Sequence, residues 1–168
     1  MSYAIVRTDA MVATDVRSQL VSVKYMGSGG SVPTAIENGN ILKLGTLVSG
    51  EREVYIGGDV AANDKLESIV LVASPEVIYD EKKRDLGNFI NEAGTICRGY
   101  HINHGDTFSV TKEALVGSGT PAVGNTVELA AGTKLAFVSS PTEAATTVGR
   151  IIAIDVVGNH TYYAIKVN

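Results

Sequence analysis

One constraint dominates this chain. Apolar residues almost nowhere recur at the 3.6-residue spacing of a helix, and short β-branched runs are instead cut off by glycines, 18 in all. A segment without that periodicity cannot turn one apolar face inward as a helix, so strands are what remain. The clearest case is the C-terminal "RIIAIDVVGNHTYYAIKVN". Two strand-like runs, about 150–157 and 160–167, flank Gly158-Asn159, a pair able to take the positive φ values of a two-residue hairpin. Along the second run Tyr163, Ile165 and Val167 alternate with Tyr162, Ala164 and Lys166. Period-two geometry predicts the first three in the core and the second three more exposed.

The same reading extends upstream. "NTVELAAGTKLAFVSS" (125–140) reads as two strands around Gly132, and "TICRGYHINHGDTFSVTKEAL" (95–115) as two strands turning at Gly105-Asp106. "NILKLGTLV" and "EREVYIG" supply another pair, and "SIVLVAS" (68–74) a short buried strand ended by Pro75. Only "YDEKKRDLGNFINEAG" (79–94) has a helical look, with Asp80 as cap, Leu86, Phe89 and Ile90 on one face, and Gly94 as stop. Gly87 weakens it by about 1 kcal/mol relative to alanine, so the helix is expected to be short or irregular. The fold class is therefore mainly β, a compact antiparallel sandwich or barrel-like domain with one short helix near 80–91.

A chain of 168 residues suits one domain, or two small ones sharing a core. It buries roughly 68–70% of its unfolded surface and needs neither metal nor disulfide to fold. Within it "ENGNILKLG" (37–45) and "EAGTICRG" (92–99) echo each other, as recurring β-turns or as a weak internal repeat. Residues 1–26 hold β-capable runs at 3–6 and 20–26, and Gly27-Ser28-Gly29-Gly30 then separates them from the rest. Two readings stay open, a tethered arm or an ordinary first strand. The division adopted is an arm and joint at 1–30 and a β-rich domain at 31–168, the latter divisible at about 31–115 and 116–168.

Composition narrows the function classes. The net charge of −4 arises within 41–115, where eight basic residues face twelve acidic ones. Such a middle repels phosphate, and without tryptophan there is little on which bases could stack, so nucleic acid is not an expected partner. No stretch is long and apolar enough to span a membrane, and the N-terminus lacks the pattern of a signal peptide. The lone Cys97 cannot form an internal disulfide, which fits synthesis in a reducing compartment. Cys97, His101, His104 and Asp106 contain ligand chemistry. However, residues 101 and 104 of an extended strand point to opposite faces, so no metal site is expected. Neither a nucleophile elbow nor a phosphate loop is present, and "DEKKRD" (80–85) reads as a solvated face. The expectation is a protein without catalysis or cofactor.

In layout, residues 35–168 resemble the head decoration (cement) proteins of tailed bacteriophages. "NGNILKLG", "ASPEVIYDEKKR", "NEAGTICRGYHINHGD" and "FSVTKEAL" carry the resemblance. It implies a structural virion protein, made in the host cytoplasm and bound to the capsid exterior. Its implied partner is the major capsid protein, its implied state a homo-oligomer, usually a trimer, and its N-terminal arm adds a strand to the shell. On that reading Tyr3, Ile5, Val6 and Arg7 are the expected capsid contacts. The alternative is another virion fibre, spike or surface β-module that binds a ligand or host surface.

Overall fold

The computed structural model describes residues 2–168. In chain order the elements are β1 (Val6–Ala10), α1 (Val12–Asp15), β2 (Leu20–Tyr25), β3 (Ile41–Leu47), β4 (Val54–Gly58), β5 (Ile69–Val72), β6 (Ile96–His101) and β7 (Thr107–Thr111). There follow β8 (Leu115–Val116), β9 (Thr126–Leu129), β10 (Leu135–Val138), β11 (Thr147–Val157) and β12 (His160–Val167). Five strands close into a barrel in the order β2-β4-β3-β5-β6, and the other seven form a sheet ordered β1-β7-β12-β11-β9-β10-β8. The fold is mainly β, as the sequence predicts.

A five-stranded barrel has a narrow lumen, since even eight strands leave room only for side chains. Val23, Leu42, Val70, Val72 and Cys97 fill it. Two of the glycines in the barrel wall make room for this packing. A Cβ at Gly57 would lie 2.7 Å from Val23 Cγ2 and 2.9 Å from Leu42 Cδ1, and one at Gly99 3.0 Å from both Val21 Cγ2 and Val70 Cγ2. Glycine here is a matter of space.

Outside the barrel lies the larger core. Ile41, Ile69, Leu71 and Tyr100 pack against Phe108, Val110, Leu129, Leu135, Ile151 and Ile165 of the sheet. Alternation along β5 sends Val70 and Val72 into the lumen and Ile69 and Leu71 into the outer core, so all four residues of "IVLV" are buried. The two sheets thus share a wall and form one folding unit.

The closing hairpin forms where expected, in register from Val157↔His160 to Gly149↔Val167 with one bulge between Ile151 and Ala153. Tyr162 and Ala164, expected to be more exposed, are buried. The Arg7 guanidinium lies 5.2 Å from the centre of the Tyr162 ring, and His160 Nε2 sits 3.1 Å from Asp85 Oδ1 in the loop after β5. That outer face has a cover drawn from distant sequence. The helix expected near 80–91 is absent. Two 3₁₀ turns, Glu81–Lys83 and Leu86–Asn88, stand there instead, capped by Asp80 and Asp85. Leu86 stays exposed, so the segment has too narrow an apolar stripe to hold a helix against a core. Among the described residues the α-helix is α1, four residues long.

The strands of 95–115 also form, but not as a pair: β6 belongs to the barrel and β7 to the sheet. The turn at Gly105-Asp106 carries the chain across, so the two halves meet near 102–106 rather than 115. Asp106 is buried there, and its carboxylate accepts from the amides of Val12 (2.9 Å) and Asn103 (2.8 Å). The echo at 37–45 and 92–99 has a structural counterpart. Gly39 (φ 84°) and Gly94 (φ 85°) hold matching left-handed positions before β3 and β6. The two turns are joined by an Ile36↔Asn91 bridge and a 3.0 Å bond from Asn91 Nδ2 to Asn38 Oδ1.

The N-terminal segment is not an arm. β1 pairs with β7, and β2 is a barrel stave between β4 and β6. Ahead of β1, the amides of Tyr3, Ala4 and Ile5 donate to Gly87 O, Glu37 Oε2 and Thr111 Oγ1. The Gly/Ser joint is a tight turn, with Gly30 N donating to Gly27 O at 3.1 Å and Val32 N to Met26 O at 3.1 Å. Backbone pairing and burial of Ile5 and Val23 offset the ordering cost that would otherwise leave a terminus frayed.

Two outcomes follow from this architecture. Deleting residues 1–26 removes a barrel stave, and the truncated chain is expected to show no cooperative melting transition by circular dichroism. A near-normal melt would restore the arm. Ile165→Asp places a carboxylate against Phe108 and Ile151 and is expected to cost several kcal/mol in denaturant titration.

Candidate interaction surfaces

The four residues expected to touch a shell are placed unevenly. Ile5 and Val6 are buried and Tyr3 is half-buried, its amide bonded to Gly87. Only Arg7 presents an exposed side chain, and it is already engaged by Asp9 at 3.2 Å and by the Tyr162 ring. In the folded chain this quartet is a fastening of β1, and Ile5 and Val6 have no free surface to offer.

Nor do Cys97, His101, His104 and Asp106 come together. Cys97 faces the lumen, His101 ends β6, His104 lies exposed in the turn and Asp106 is committed to backbone amides. Among the described residues no three His, Cys, Asp or Glu side chains converge as metal ligands. Burial pushes the Cys97 thiol up to about 11, and burial also lowers the affinity of His101 for a proton.

Two features of the surface invite partners. The first is an open groove of about 890 Å³ running along β2 where β4 and β6 flank it. Arg17, Arg52 and Arg98 line it beside a single carboxylate, Glu53, and the hydroxyls of Ser18, Ser22 and Ser74. The ion pairs of the described residues are Arg7–Asp9, Lys43–Asp64, Arg84–Glu81 and His160–Asp85, so none of these three arginines is in one. Half of the six arginines of a net-acidic chain share one groove. A guanidinium binds carboxylates through two parallel hydrogen bonds, and several at one site select an anionic partner. Leu20 and the exposed Ile96 add an apolar floor.

The second feature is the outer half of β11. β9 pairs with it only as far as Arg150↔Thr126, and beyond Ile151 the strand has β12 on one side and solvent on the other. Ile152, Ile154, Val156 and Val157 are exposed there.

Sequence reasoning missed both. The three arginines stand far apart in the chain and meet only because β2, β4 and β6 are adjacent. The open edge had a local signal, a first hairpin strand longer and more apolar than the neighbour it could pair with. No helix among the described residues is long and apolar enough to cross a membrane. No family model, curated protein or solved structure matches the chain.

The half-buried His101 generates a pH prediction. With its folded pKa depressed, His101 is protonated more readily in the unfolded chain. Its neutral form favours the folded state fully above about pH 6.5, and this contribution is lost as the pH falls through the lower folded value. Denaturation midpoints are expected to drop over that window, and less steeply in His101→Gln. An equal slope in the variant would assign the effect to other groups.

Proposed function

We propose that the protein is a structural virion protein that binds the outer surface of a phage capsid and stabilises it. Its partner is the major capsid protein, and it acts without catalysis, cofactor or nucleic acid. It is made in the host cytoplasm and resides on the capsid exterior. The layout shared with head decoration proteins supports this reading. The observation that carries it to a site is the groove of Arg17, Arg52 and Arg98, three cations outside the ion pairs of the described residues in a net-acidic chain. A capsid segment bearing carboxylates would satisfy them, with the apolar floor adding burial. The contacts expected near β1 give way to this groove. Its concavity also favours a second reading, a surface β-module that takes an anionic ligand.

Co-sedimentation with expanded capsids tests the proposal. Wild-type protein is expected to saturate at a fixed ratio to coat protein and to release as salt screens the guanidiniums. Arg52→Glu with Arg98→Glu is expected to lower occupancy more than tenfold, while Arg150→Glu, on β11, changes it little. Failure of the wild type to bind would overturn the function. Unchanged binding of the double variant would overturn the groove alone.

A further inference from the structure

The open edge of β11 carries an inference independent of the groove. A two-residue hairpin closes on a hydrogen-bonded pair, here Val157↔His160, and hydrogen-bonded pairs then alternate along the ladder. Val157 and Asp155 therefore aim their backbone groups at β12, whereas Ile154 and Val156 aim theirs outward, where no strand of the described residues pairs with them. The side chains on this stretch are equally unprotected: Ile152 is 49% exposed, Ile154 40%, Val156 73% and Val157 53%. Natural edges are usually blunted by charged side chains, proline, a bulge or a covering loop; here the bulge at Ile152 lies at the inner end of the stretch, and Asp155 is its single charge. Residues 152–157 contain neither lysine nor proline, and the nearest loop, at Gly124-Asn125, bonds Ile151 and reaches no further.

We propose that this edge pairs with the same edge of a second copy, as an antiparallel two-fold ladder centred on Ile154. Charge selects that register. Centring the axis on Asp155 would set two carboxylates directly opposite each other, which destabilises a strand pair. Centring it on Ile154 sets Asp155 against Ala153 of the other copy, and Ile152 against Val156. Each copy then meets the other's outward amides and carbonyls with its own, and the apolar side chains run as one stripe across the junction. The contact is isologous and closes as a pair, whereas a trimer requires a heterologous contact. One edge ladder is a small interface, at or below about 1,200 Å², so the pair is expected to be weak and concentration-dependent.

Sedimentation velocity of the full chain over a concentration series reads the assembly, and single cysteines read the register. The native Cys97 is buried and does not compete for cross-linking. The wild type is expected to shift from monomer to dimer as concentration rises, and Val156→Lys to remain monomeric with an unchanged melting profile. Under mild oxidation Ile154→Cys is expected to cross-link at least tenfold faster than Asp155→Cys. A wild type that stays monomeric throughout, a trimeric mass, or undiminished self-association of Val156→Lys would overturn the pairing. Faster cross-linking at position 155 would overturn the register.

Discussion

β2 is held on both sides, by β4 in parallel register from Ser22 to Tyr25 and by β6 in antiparallel register from Leu20 to Lys24. This double pairing closes the barrel, and most of the molecule rests on the closure. Without β2, β4 and β6 would each present a bare edge, and Val21 and Val23 would leave the lumen that Gly57 and Gly99 keep open for them. Its ends are fastened too. Tyr25 donates its hydroxyl to Asp59 at 2.6 Å, and burial together with that bond keeps the phenol protonated far beyond its usual range. At the other end α1 is anchored through Val12 to Asp106, at the crossing between the two sheets.

Closure in turn creates the common wall. Because β5 is covered on both faces, the barrel cannot loosen without disturbing the sheet, and cooperative behaviour across the whole chain follows. The surfaces that remain uncommitted lie away from this wall: a groove of cations beside β2 and the outer half of β11. Stability is concentrated in the shared wall, and the groups proposed for association lie outside it. Such a division is in keeping with the attachment role proposed above.

Much of the β-structure was legible because each strand carries its own period-two pattern. The hairpin at Gly158-Asn159, the β3–β4 pair and the buried run of β5 follow from residues near one another. What escaped was non-local. Tyr162 and Ala164 read as outward-facing because their burial is set by residues distant in sequence, such as Arg7 over the Tyr162 ring, which nothing nearby announces. β6 and β7 look like a hairpin because Gly105-Asp106 makes the same local turn whether the strands pair or part. Gly27 to Gly30 have the composition of a tether, yet bonds to Met26 and within the run fold them into a turn. The arginine groove escaped for the same reason, as its members share no segment.

Hydrogen exchange of the isolated protein tests the central claim most directly. If β2 is a barrel stave, the amides of Val21 to Lys24 exchange only through global unfolding and match those of Val70 to Val72 in protection. If those β2 amides instead exchange within seconds while β5 stays protected, the segment is a detachable arm, and closure of the barrel by β2 is contradicted.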